Sequence, residues 1–160
     1  MRPGRAILFG VLGAAAISLL TAAVRAAGVP ISIEIVLGTL AGLQAGAAFG
    51  LGLLIHLVMG GLFGLLYGYL FENVWDHGGA STGMLTAVVH AALIGTLLGL
   101  VPQSHTLVPG RMPDPGPFFA NLGVAGVLTF FGAHLVYGAI VGAGYGHVAA
   151  ERQWAPTGRL

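Results

Sequence analysis

The sequence predicts an all-α membrane protein: a bundle of four transmembrane helices made of two tandem parallel helical-hairpin repeats, with a short interfacial helix near 31–43. Three observations carry that prediction. Of 160 residues, 56% are hydrophobic and only 7% charged, against roughly a quarter charged in an ordinary soluble domain. Mean hydropathy is +0.91, and several apolar runs exceed the roughly 20 residues needed to cross a hydrocarbon core. A glycine-rich motif occurs twice, 78 residues apart. The length suits a single transmembrane domain.

The first apolar run, about 5–27, follows Arg2 and Arg5. Its apolar stretch is longer than a signal-peptide core and has a counterpart later in the chain, so it is expected as an uncleaved first helix. The second run extends from Ile31 to Phe71 with Glu34 and Gln44 as its strongly polar interruptions. As one helix it would be about 60 Å long, twice the hydrocarbon core, so it must break. Gly42, Gly46, Gly50 and Gly52 offer the break, which leaves a short interfacial or half-inserted helix at 31–43 and a second span at about 47–71. A polar turn from Glu72 to Gly79 leads to a third span at about 81–101. Five prolines between Pro102 and Pro117 rule out a continuous helix there. The fourth span is expected at about 118–148.

Arg2, Arg5, Arg152 and Arg159 would lie on one side, leaving Arg25 and Arg111 on the other. The excess of arginine favours an N-in, C-in topology in a prokaryotic cytoplasmic membrane, with the proline-rich loop outside. Tyr67, Tyr69, Phe71, Trp75 and Trp154 would then form an aromatic belt at the inner face.

The motif HLVxGxxxGxxYG begins at His56 and again at His134, with seven identities in thirteen positions. Ala14–Ile17 and Ala91–Ile94 align loosely at nearly the same offset, placing Gly13 opposite His90. Two hairpins inserted in succession have the same orientation, related by a pseudo-two-fold axis along the membrane normal. Within each motif the His, two glycines and Tyr share one helical face. Gly60, Gly64 and Gly68, with Gly138, Gly142 and Gly146, read as a glycine zipper that draws the second and fourth spans together. Ala87, Ala91, Gly95 and Gly99 form a smaller ridge on the third span, so spans two to four are expected to form the dense core and the first to be peripheral.

The runs Ile35–Gly38 and His56–Tyr67, with Val101–His105, Met112–Pro117 and the final HLVYG, together resemble a family of small bacterial and archaeal four-helix membrane proteins of unknown function. Leu53 departs from the pattern, since members carry an aromatic residue three positions before the histidine. The resemblance implies a four-helix bundle and supplies no activity.

His56, His90 and His134 lie near the centres of the second, third and fourth spans, at one membrane depth within about 5 Å. Ionisable residues inside spans are rare and usually face the bundle interior. One reading makes the three a haem b or divalent-metal site, since imidazole suits Zn, Cu and Fe and two facing histidines are what a b-type haem requires. The other makes them interhelical glue, bonded to one another, to Thr86 or to backbone freed by the glycines. His105, past the third span, is a weaker metal candidate at the outer surface. His77 and His147 are expected at the inner boundary, and Glu34 at an interfacial helix start.

Composition excludes other chemistries. With no cysteine there is no disulfide or thiolate site, and six scattered arginines make no nucleic-acid surface. No nucleotide loop, HExxH motif or intramembrane carboxylate pair is present, so no catalytic residues are assigned. The expected partners are the lipid bilayer and, through Gly/Ala surfaces, the protein itself or another membrane protein. The functional expectation is a helix-packing or accessory module; the alternatives are a His-ligated haem or metal protein and a small transporter.

Overall fold

A computed structural model describes residues 1–43, 45–101 and 112–146. Its elements among these residues are all helices: α1 Pro3–Ala26, α2 Ile33–Leu40, α3 Ala45–Asn73, α4 Ala80–Leu98, a 3-10 segment Pro117–Leu122, and α5 Gly123–Tyr145. Four helices are long and apolar enough to cross a membrane. Their outward side chains are those lipid solvates, such as Leu19, Leu62, Leu93 and Val124, all exposed.

Pro3 at the first turn of α1 loses no helical hydrogen bond there. Gly42, at φ +82°, supplies the left-handed turn between α2 and α3 that the length of the apolar run demands. The remaining glycines of that cluster, Gly46, Gly50 and Gly52, stay helical. Ser32 caps α2 by accepting from the Ile35 N–H at 3.2 Å. α2 lies against the N-terminal part of α3, where Gly38 meets the Ala48 backbone and Gly52 meets the Glu34 carbonyl.

The fourth span begins less regularly than its apolar composition suggests. Phe118 and Phe119 have φ of +56° and +59°, a strained region for bulky side chains. Packing holds them there. A Cβ at Gly95 would collide with the Phe118 ring, that ring stacks on Phe131 with centroids 5.6 Å apart, and Phe119 is buried. The regular helix starts only at Gly123.

Each hairpin closes through the same backbone contacts. In the first, a Cβ on Gly60 would strike Ala14 and Gly10, and one on Gly64 would strike Ala6 and Gly10. In the second, Gly138 meets Ala87 and Gly83, and Gly142 meets Gly79 and Gly83. Ala6, Gly10 and Ala14 therefore correspond to Gly79, Gly83 and Ala87, each 73 residues on. This register places Ile17, and not Gly13, opposite His90.

Three expectations change. The glycine faces of α3 and α5 pack on α1 and α4, their own hairpin partners, while α3 and α5 meet each other through tyrosine side chains with their backbones apart. Gly146 is no packing glycine: at φ +79° it ends α5, and nothing lies within 4 Å of its would-be Cβ. Far from being peripheral, α1 packs along both α3 and α5, because Gly13 admits the Tyr137 ring. A strict two-fold would give α4 the same seat on α3. There Thr86 replaces Gly13, His90 replaces Ile17, and Phe63 stands where α5 has Val141, and these larger groups hold α3 and α4 apart.

Candidate functional site: a midplane histidine cavity

The separation of α3 and α4 opens a cavity of about 150 Å³ in the middle of the bundle. His56 from α3, His90 from α4 and His134 from α5 all line it, along with Phe63, Phe130 and Tyr137. No Asp, Glu, Lys or Arg is among its described lining residues.

Each imidazole is oriented through Nδ1. His56 Nδ1 lies 3.1 Å from Ser18 Oγ of α1, and His90 Nδ1 lies 3.3 Å from the Tyr67 hydroxyl of α3. His134 Nδ1 donates to the Phe130 carbonyl one turn back on α5, at 2.8 Å. Rings fix the planes. Phe63 stacks on His90 with centroids 4.0 Å apart, and His134 meets His90 edge to face at 5.1 Å. Tyr137 donates to the Gly60 carbonyl at 2.6 Å, and Tyr67 lies edge-on to Tyr137 at 5.4 Å.

Several of these partners differ from expectation. Tyr67 and Phe71, expected in the interfacial belt, are both buried, whereas Tyr69 and Trp75 are exposed. The repeated motif already placed Tyr67 on the His56 face, eleven residues or about three turns on. Thr86 bonds the Thr82 carbonyl at 2.9 Å in place of His90, since its hydroxyl reaches its own preceding turn more readily than another helix. Ser18 had no sequence signal beyond being polar in an apolar span.

The imidazole set does not fit the larger cofactors. Among the described residues no three His, Cys, Asp or Glu side chains are placed to hold one metal ion. The cavity of about 150 Å³ is also well below the roughly 300–1,000 Å³ of pockets for drug-sized ligands, and a haem is larger than most of those. His105 lies outside the described residues.

Glu34 is fully buried, and was expected at an interface. One carboxylate oxygen, Oε2, accepts from Ser32 Oγ at 2.8 Å and faces Arg25 at 3.4 Å, while Oε1 has no partner among the described residues. Arg25 also donates to the Ile31 carbonyl at 2.8 Å, tying the end of α1 to the entry of α2. At the opposite end, Glu72 receives the Tyr145 hydroxyl and pairs with the Met1 amino group at 2.6 Å.

Neither family models, nor curated proteins, nor solved structures include a match to this chain.

Proposed function

We propose that this protein is a binding protein of the membrane interior, in which two glycine-closed hairpins form a scaffold around a midplane cavity for a small lipid-soluble ligand. The observation that carries this reading is the convergence of three histidines from three helices, with Tyr137, on one largely apolar cavity. A concave apolar site with a few convergent polar groups is the usual form of a small-ligand site. Four of the six glycines expected to pack helices are spent inside the hairpins. Their packing role is thus internal to the scaffold, and they offer no ready surface to another protein. Haem and metal ligation are the weaker readings on cavity size and imidazole placement.

The membrane assignment extends this reading. The arginine excess favours N-in, C-in insertion in a prokaryotic cytoplasmic membrane, and α1 begins at the bundle end where α3 and α5 finish, joined there through Glu72 and Tyr145. A C-terminal reporter fusion is expected to be active only as a cytoplasmic type, and the reverse would overturn the orientation.

Binding itself is tested by nitrogen NMR of the labelled imidazoles in the purified protein. Added toluene is expected to move the His56, His90 and His134 signals together and leave His77 unchanged. Absence of any shift at saturating toluene in a folded sample contradicts the reading.

A further inference from the structure

The cavity's donors and acceptors select among small ligands, an inference that rests on the binding role proposed above. A carbonyl oxygen can only accept, so the His134 Nδ1 contact with Phe130 is an N–H donation. A neutral imidazole that donates through Nδ1 carries a bare lone pair on Nε2. That Nε2 has no hydrogen-bond partner among the described residues, and His134 lines the cavity. The hydroxyls are engaged, and the His56 and His90 Nε2 atoms donate or accept according to which way the proton lies in their Nδ1 bonds. The Tyr137 proton is committed to Gly60, and Tyr67 and Ser18 each share a hydrogen bond with an imidazole Nδ1. His134 Nε2 is thus the one imidazole nitrogen on the cavity whose role is fixed by its partner, and it calls for a hydrogen-bond donor.

The walls supply the rest of the specification. Phe63, Phe119 and Phe130 face the space, and aromatic walls favour a flat ring in stacked or edge-on contact. The volume of about 150 Å³ equals that of engineered apolar cavities of about 150 Å³ that take up benzene. We infer that the cavity takes a phenol-class ligand: one aromatic ring whose hydroxyl donates to His134 Nε2 while the ring packs against the phenylalanines. Such a ring arrives either as a free phenol or as the headgroup of a lipid-tailed quinol. Met59 lines the cavity yet is 38% exposed, so the cavity wall reaches the bundle surface there and gives a tail a way out to the lipid.

The test compares toluene, phenol and a decyl-tailed quinol, each titrated into the wild-type protein and into His134→Phe, with the imidazole nitrogen signals as readout. Comparing the ratio of phenol to toluene affinity between the two proteins cancels detergent partitioning. One hydrogen bond of about 1 kcal/mol predicts a ratio about fivefold higher in the wild type. In wild type alone, phenol but not toluene is expected to shift the His134 Nε2 resonance in the direction of an accepted hydrogen bond, which keeps the test open should the variant not fold. Toluene binding with no phenol preference and no Nε2 shift overturns the phenol class while leaving the cavity reading intact. Binding of neither overturns both. A tailed quinol that binds more tightly than phenol in wild type identifies the ring as lipid-borne; one that binds more weakly identifies a free phenol.

Discussion

The hydroxyl of Tyr137 donates to the carbonyl of Gly60 across 2.6 Å, joining α5 to α3 at the wall of the cavity. The carbonyl is reachable because residue 60 has no side chain to cover it, and the hydroxyl arrives because Gly13 leaves room for the tyrosine ring. Three positions on three helices are thus mutually dependent. The repeat counterpart of Tyr137 is Met59, which cannot make this bond, so the link occurs once and marks the side where the hairpins close.

Tyr137→Phe keeps the ring and removes the bond. Gly60 remains within its helix, so the cost is that of one net hydrogen bond, about 1 kcal/mol. Thermal unfolding in detergent is expected to show a modest loss of stability for this variant and a larger one for Gly13→Leu, whose side chain would displace the ring. Equal stability of Tyr137→Phe and wild type would mean that the hairpins are not joined here.

The hairpin contacts predict which glycines tolerate a methyl group. At Gly64 and Gly142 a Cβ would meet backbone carbonyls of Ala6 and Gly79, whereas at Gly132 it meets nothing within 4 Å. Gly64→Ala and Gly142→Ala are expected to destabilise by about 1–3 kcal/mol through overpacking. Gly132→Ala should be neutral or slightly stabilising, since alanine is the better helix former by about 0.5–1 kcal/mol. A common response at all three sites would contradict the assigned faces.

Four spans, their order and the break after the short second helix were all legible in the sequence, because apolar length and glycine turns are local properties. The His–Gly–Gly–Tyr motif is visible twice in the sequence, but what its residues meet is not. Ser18, Gly13 and Thr86 decide which helices approach, and their effect depends on side-chain volume across an interface that no periodicity reveals. The difference between a 73-residue offset in the first helices and 78 in the second reflects a longer connection in the second hairpin. That connection displaced the loose alanine alignment, and with it the expected partner of His90. The strained start of the fourth span was likewise hidden, since Phe118 and Phe119 adopt positive φ only because Gly95 and Phe131 hold them.

Glu34 and Arg25 provide a further test. Removing one member of a buried ion pair leaves an uncompensated charge, which costs roughly 3–5 kcal/mol in sealed sites. Arg25 is 27% exposed at its side chain, so Arg25→Leu is expected to cost less than that, about 2 kcal/mol by the same principle. The double variant Arg25→Leu/Glu34→Leu should recover part of the loss, because no charge then remains buried. A double variant at least as unstable as the sum of its singles would show that the two side chains do not compensate each other.

The claim on which the functional reading depends is that the three midplane histidines share one ligand-accessible cavity. Bromobenzene tests it most directly, because its bromine can be located by anomalous scattering in crystals grown from a lipid phase. The prediction is a bromine peak inside the bundle, bounded by His56, His90 and His134 and by the rings of Phe63 and Phe130. Bromine found only among lipid-facing side chains, with the interior closed at saturating ligand, would contradict it.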